Sequence, residues 1–432
     1  MTTRWRTTAT LSRALVLGCL GLGAAVVLGE PVALVLVGPL VVHAALGLAA
    51  RPAREPAAIA EIDHVSLHEG QGTTSRLWLR DAEDAEQVTR AMGVAAYVAT
   101  RPPDGCVSRL LDEGVPVLEI SPRRWGRRLL GHEQVALTTR WAGHRWGPVT
   151  LSGLQMHVLP GAAAYTSRAE TPQPRGLVGA HRSARVGSGT EFSGIREFQP
   201  GDRLRRINWR ISTRTRRLHA TTTRAEEDAG ILLVVDAVAD HGRSGGVDGA
   251  ASSLDLSVRA AAAIAEDAVR RGDRVGLRVV GGSGRQLSYG SGWLHLRRLL
   301  LALAAIRSGT EGHHSLATHA PVPLRATEGT TVVLLTPLLT DAIATVAAST
   351  ARRGLPTLVV DTLPPDAEPA LPEDVDPDLA ALAWRMRKVE REQVLAGLAA
   401  LGCPVVAWRG PGTLDEVLQR LARRARLPRV RA

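Results

Sequence analysis

The chain has 432 residues, with 53 basic and 42 acidic side chains and a formal net charge of +11 at pH 7. An apolar share of 45% excludes a disordered chain and is ample for buried cores in about two or three folded units. The three cysteines, Cys19, Cys106 and Cys403, lie far apart, which excludes a disulfide scaffold and a cysteine-rich zinc site.

Arginine carries the basicity. Lys388 is the single lysine, Asn208 the single asparagine, and Phe192 and Phe198 the two phenylalanines. GC-rich coding drains such residues, so the exceptions mark positions held by structure or function. Phe192, Phe198 and Asn208 all fall within one short window.

Residues 14–29 are apolar and rich in Gly and Ala, Glu30-Pro31 breaks the run, and 32–50 form a second run. A spanning helix needs about 20 residues, so the first run is short and the second adequate. Arg4, Arg6 and Arg13 precede the pair, and Arg51 and Arg54 follow it. Positive flanks at both ends place both on the cytoplasmic side. Two runs exceed the single core of a signal peptide. The expectation is a transmembrane hairpin over 1–54 in the cell membrane, multi-pass, with the lipid bilayer as partner and the soluble domains cytoplasmic.

Residues 55–165 read as a small β-rich domain, with strand-like stretches at 76–79, 94–99, 115–120 and 135–139 between Gly, Pro and Asp turns. A helix is expected over 81–92. Trp125, Trp141 and Trp146 stand among arginines. Packing in a half-buried sheet under Arg stems is expected of them, ahead of a base-stacking or lipid-touching surface.

An Arg/Gly-rich segment over 166–228 follows. Between 175 and 224 there are twelve arginines against Glu191, Glu197 and Asp202. Gln199-Pro-Gly-Asp202 is a turn signal. Phe192, Ile195 and Phe198 recur at a spacing that fits one helical turn or a loop clamped to the core, and alternation of Ile207, Trp209 and Ile211 suggests a strand over 206–212. Clustered arginine with aromatics is an electrostatic footprint for nucleic acid, yet no RNA-recognition or helix-turn-helix pattern accompanies it. Gly187-Ser-Gly-Thr190 lacks the Lys-Ser/Thr ending of a phosphate loop. Docking of a protein partner through paired arginines is the favoured reading.

From 229 to 432 apolar strand runs at 231–235, 274–280, 331–335, 356–360 and 404–408 alternate with helical stretches at 254–271, 293–306, 341–353, 377–401 and 414–426. That alternation predicts a doubly wound α/β sheet, whose ligand edge is the carboxyl end of the strands. No enzyme constellation emerges. His313-His314 sits in a polar loop, Ser183 near His181 has no acid partner, and Glu226-Glu227-Asp228 precede a strand.

The run Gly187-Ser-Gly-Thr-Glu-Phe192, Ile195-Arg-Glu-Phe-Gln-Pro-Gly-Asp202 and Arg206-Ile-Asn-Trp-Arg-Ile-Ser212 resembles the signature of domain-of-unknown-function family fifty-eight. The tail Trp384-Arg-Met-Arg387, Glu390-Arg-Glu392 and Gly402-Cys-Pro-Val-Val-Ala-Trp408 fits the same architecture. The resemblance implies a membrane hairpin, a β-rich unit, the signature and a von Willebrand factor A-like domain. It also implies a genomic neighbourhood with MoxR-type AAA+ ATPases. A protein of this kind is expected to be a non-enzymatic adaptor or scaffold that presents its α/β domain to such a partner, without a cofactor. Binding of nucleic acid or anionic lipid through the Arg-rich segment is the alternative.

Signature residues singled out are Glu191, Phe192, Arg196, Gly201, Asp202, Asn208, Trp209 and Arg210. Gly201 is assigned to the turn, Phe192 and Trp209 to packing, and Asp202 and Asn208 to holding backbone or arginine. The metal motif of von Willebrand A domains is Asp-x-Ser-x-Ser, with hard oxygen ligands for magnesium. Here it reads Asp236-Ala-Val-Ala-Asp240, so both serines are replaced, and Thr336-Pro337 stands where a later aspartate is usual. A degenerate, metal-free site is expected near Asp236 and Asp240.

Overall fold

The structure, a computed structural model, describes residues 4–93, 95–161, 182–199, 204–226, 230–309, 330–368, 376–409, 413 and 417. The chain divides into two compact units, Met1–Leu159 with Gly246–Asp248, and Pro160–Gly245 with Gly249–Ala432.

In the first unit a two-residue strand β1 (Arg6–Thr7) leads into helices α1 (Ala9–Leu28) and α2 (Val32–Ala49). Thr8 caps α1 by accepting from Leu11 N at 3.1 Å, and Gly29 ends it in the left-handed region at φ 65°. The cap starts the helix ahead of the apolar run, so the short first run becomes a 20-residue helix. At 1.5 Å per residue the two helices are about 30 and 27 Å long, enough for a bilayer core of about 30 Å. Both are long and apolar enough to cross a membrane. They pack through small residues: a Cβ on Gly21 would lie 2.3 Å from Val37 Cγ2, and one on Gly18 would lie 3.4 Å from Val41 Cγ2.

The remainder of this unit is β2 (Ala57–Ile62), β3 (Ser66–His68), β4 (Thr73–Arg80), β5 (Ala85–Met92), β6 (Val98–Arg101) and β7 (Cys106–Leu110). Then come β8 (Leu118–Pro122), β9 (Gly126–Leu129), β10 (Glu133–Thr139), β11 (His144–Thr150) and β12 (Gln155–Leu159). They form sheets ordered β1-β11-β10-β5-β7, β2-β4-β8-β6 and β3-β12-β9. The strand ahead of the hairpin is thus an edge of the first sheet, with Arg6 opposite Arg145 and Thr7 opposite His144.

The helix expected over 81–92 is instead β5. Val88, Arg90 and Met92 alternate inward, and a buried arginine in an apolar register disguised the period of two. Arg90 is fully buried and pairs with Glu133. Its Nη1 donates to Ser75 O at 2.8 Å and to Pro116 O at 2.9 Å. Trp125 and Trp146 are buried, and Arg124 and Arg128 stack on Tyr97 with guanidinium carbons 5.2 and 5.0 Å from its ring centre. Trp141, by contrast, is 48% exposed.

The second unit opens with a two-stranded antiparallel ribbon, β13 (Arg182–Glu197) and β14 (His219–Glu226), joined through helix α3 (Trp209–Thr215). Two expectations are corrected. The stretch containing Phe192 and Ile195 is strand, because its main chain pairs with Thr221–Thr223. The strand expected over 206–212 gives way to α3, because Asn208 supplies a helix cap where alternation suggested a ladder.

A six-stranded sheet follows: β15 (Gly230–Asp236), β16 (Arg274–Val280), β17 (Leu287–Gly290), β18 (Thr330–Thr336), β19 (Thr357–Asp361) and β20 (Val405–Ala407). Its order is β17-β16-β15-β18-β19-β20, all parallel except the edge strand β17. Helices α4 (Ser253–Arg270), α5 (Trp293–Ala304), α6 (Asp341–Arg352) and α7 (Pro377–Ala400) cover it. Leu232 and Val234 pack with Ile343, Val346, Ala347 and Leu398 from α6 and α7. Leu233 and Val235 point to the opposite face by alternation, the face that α4 and α5 serve. Burial on both faces explains the unbroken apolar runs of β15 and β18. This is the doubly wound sheet that the α/β alternation predicts. Of the helix expected over 414–426 only Val417 lies among the described residues.

Candidate functional site: the sheet edge and the signature helix

Parallel strands end together at one edge, and three of them end in oxygen-bearing side chains: Asp236 on β15, Thr336 on β18 and Asp361 on β19. Asp236 is buried. Its Oδ2 accepts from Thr336 Oγ1 at 2.7 Å and its Oδ1 from Val238 N at 3.1 Å. Asp240 accepts at Oδ1 from Leu254 N at 3.0 Å and Ser253 Oγ at 3.3 Å, and at Oδ2 from Ser252 Oγ at 2.9 Å. Ser252 in turn caps α4 in a capping box with Asp255. Asp240 therefore ties its loop to the first turn of α4, where negative charge is favoured.

Those bonds bear on whether this edge suits magnesium. Val238 occupies a position that would need a hydroxyl, and the oxygens of both aspartates are directed to donors of the protein itself. The residues present do not fit a magnesium site. Among the described residues no group of three or more His, Cys, Asp or Glu side chains is placed to hold a metal ion.

Sequence reasoning missed Asp361 and Arg391. Asp361 pairs with Arg391 of α7, whose Nε also donates to Pro337 O at 2.8 Å. The signal for Asp361 was an acid directly after the apolar run of β19; nothing local pointed to Arg391. Beside them His241 stacks on Trp384, ring centres 5.8 Å apart, and Trp384 Nε1 donates to Ala367 O at 2.9 Å. Burial holds the His241 imidazole below its ordinary range and Arg387 adds to this, while Asp240 opposes it.

The signature residues divide. Asn208 caps α3 by accepting from Ile211 N at 3.3 Å. Trp209 does not pack: in the first turn of α3 it is 64% exposed. Arg210 and Arg214 are exposed one turn apart beside it. Arg196 on β13 sits opposite Ala220 and donates from Nη1 to Glu197 O at 3.0 Å. Glu191 and Phe192 are within β13, Phe192 opposite Thr223. Gly201 and Asp202 lie outside the described residues, as do His181, His313 and His314. Among the described residues the signature positions are not gathered into one chemical site. Its ribbon positions and its helix positions serve different local contacts.

Fold and edge together are consistent with a doubly wound, von Willebrand A-like α/β domain whose edge carboxylates accept internal hydrogen bonds. The particular domain is that described as "Protein of unknown function DUF58", which is present over residues 194–374. Glu191 and Phe192 fall just ahead of that span.

Uncharacterized proteins of Mycobacterium tuberculosis and Mycobacterium bovis are 30% identical over 139 residues, covering 32% of this chain and 42% of theirs. The chain thus spans less than half the length of these relatives. Among solved structures, an aerotolerance-related membrane protein from Bacteroides fragilis, with multiple mutations to serines, matches at 15% identity and TM-score 0.30. That match covers 45% of this chain and 99% of the other.

Proposed function

We propose that this chain is a membrane-anchored, non-enzymatic adaptor whose α/β domain presents a surface to a cytoplasmic partner, a MoxR-type AAA+ ATPase system. The observation that carries this reading is the outward face of α3. Trp209, Arg210 and Arg214 stand exposed on a helix that the unique Asn208 caps, within the span of the DUF58 domain. An exposed aromatic with arginines on a short, fixed helix is the composition of an interface anchor. The sheet edge supports the same reading from the other side, since its polar groups are spent on holding loops. The resemblance of the signature supports the choice of partner, and the N-terminal hairpin supports the membrane location.

The test is a pull-down of the detergent-solubilised full chain from its native cells, wild type beside Trp209→Ala/Arg210→Ala, read by mass spectrometry. Recovery of an AAA+ ATPase with wild type and its loss with the folded variant is the expected result. Recovery of nucleic acid alone, removed by salt, would overturn the reading in favour of a polyelectrolyte binder.

A further inference from the structure

At the base of the hairpin the turn Arg140–Ala142 packs directly on the helix ends. Gly143 and Gly47 touch backbone to backbone: a Cβ on Gly143 would lie 2.8 Å from Gly47 O and 3.0 Å from Gly47 Cα. Thr8, the cap of α1, donates from its N to Gly143 O at 3.0 Å and from its Oγ1 to Ala142 O. Gly47 is two residues before the last residue of α2 and Thr8 one before the first of α1. The turn therefore sits level with both helix ends, within about one helical turn or 5 Å. In a bilayer the whole apolar length of both helices is needed to span, so this level is the interface between hydrocarbon and water.

Three further features converge at that level. Trp141 is held at φ 63°, in the left-handed region, and is half exposed although Trp125 and Trp146 of the same unit are buried. Such a conformation is costly for a bulky residue and needs a reason. Next, the edge pairing of β1 and β11 puts Arg6 directly opposite Arg145, both exposed, with no carboxylate partner for either among the described residues. Like charges directly opposite each other on a strand pair are destabilising and call for an anion. Arg51 adds positive potential at the same place: after burial, it is the second cause that holds His144, the neighbour of Arg145, below its ordinary range.

We infer that the Arg140–Ala142 turn is seated in the headgroup layer of an anionic membrane, with Trp141 as its interfacial anchor and the Arg6–Arg145 pair on lipid phosphate. Aromatic residues favour this depth, and arginines are drawn to the negative surface potential of an anionic leaflet. Because the strand before the hairpin belongs to the β-sheet, this seat orients the whole β-rich unit on the bilayer instead of leaving it on a free tether. The inference rests on the membrane reading of the hairpin, and the experiment separates the two.

The native cysteines supply the controls. Cys19 lies on the exposed surface of α1, Cys106 is exposed on β7, the edge of the sheet opposite β1, and Cys403 is buried. Single-cysteine full chains carrying Cys19, Cys106 or Trp141→Cys are spin-labelled in phosphatidylcholine vesicles with and without phosphatidylglycerol. Collision rates with oxygen and with a water-soluble nickel chelate are then compared. Arg140→Cys serves as a second probe of the turn should Trp141→Cys fold poorly. The expected order is oxygen-dominated at 19, nickel-dominated at 106, and intermediate at 141.

A label at 141 as water-exposed as that at 106, with 19 still lipid-exposed, would overturn the inference and leave the hairpin standing. A water-exposed label at 19 would defeat both. In a second arm, lipid retained by the purified chain from mixed vesicles is weighed. Phosphatidylglycerol should be enriched over its bulk share, and Arg6→Gln/Arg145→Gln should abolish the enrichment. Enrichment that survives the double variant would refute the role of the pair, and enrichment displaced by inorganic phosphate would show an adventitious anion site in place of a lipid one.

Discussion

Thr336 Oγ1 donates to Asp236 Oδ2 at 2.7 Å across the adjacent parallel strands β15 and β18. A hydroxyl of the chain thereby occupies one oxygen of this buried carboxylate. Thr336→Val removes the donor and leaves a buried carboxylate short of a partner, which should cost about 1–3 kcal/mol. The thermal midpoints of wild type and variant should each be unmoved by added magnesium. A magnesium-dependent rise in the wild-type midpoint would contradict the closed-edge reading.

Arg90 and Glu133 place a full ion pair in the interior of the β-rich unit. Removing one partner strands the other without solvent, so Glu133→Ala should cost about 3–5 kcal/mol. Replacing both with apolar residues, as Arg90→Met/Glu133→Leu, should lose less than the single change. Urea midpoints of the three proteins decide it, and a double variant worse than the single one would show that the arginine's bonds to Ser75 and Pro116 dominate.

The signature asparagine has a defined local task. Asn208→Ala should destabilise the chain by about 1 kcal/mol through loss of the α3 cap, whereas Asn208→Asp should lie within a few tenths of a kcal/mol of wild type because both residues cap well. Thermal melts of the two variants test this. An Asp variant as weak as the Ala variant would mean that Asn208 acts through a contact other than Ile211 N.

Asp273 supplies a pH signature. Burial pushes its carboxyl up to about 6, Asp267 adds to the rise and Arg271 opposes it. In the unfolded chain the group titrates near 3.9. The folded state therefore holds the proton more tightly, so stability is greatest below about pH 4 and declines until pH passes the folded value of about 6. Asp273→Asn should match wild type near pH 4 and exceed it at pH 7. Equal midpoints at both pH values would show that the carboxyl ionises freely in the fold.

Local pattern was enough for several features. Two apolar runs around Glu30-Pro31 announced the paired helices, since length and apolarity alone set whether a helix can span. Alternating apolar strands and helices announced the doubly wound sheet, because strands buried on both faces must be apolar throughout. The replacement of both serines, by Val238 and Asp240, was visible for a simpler reason: a missing hydroxyl is a covalent fact.

Tertiary structure decided the rest. Strand β5 was hidden because Arg90 is an interior residue only by virtue of Glu133, 43 positions away. Helix α3 was hidden because alternation of Ile207, Trp209 and Ile211 mimics a strand until the Asn208 cap is seen. Pairing of Arg391 with Asp361, of Thr336 with Asp236 and of Arg6 with Arg145 depends on which strands and helices become neighbours. Hydrophobic periodicity reports the environment that a segment wants, while partners distant in the chain determine which polar groups meet, and those meetings set the chemistry of the sheet edge and of the hairpin base.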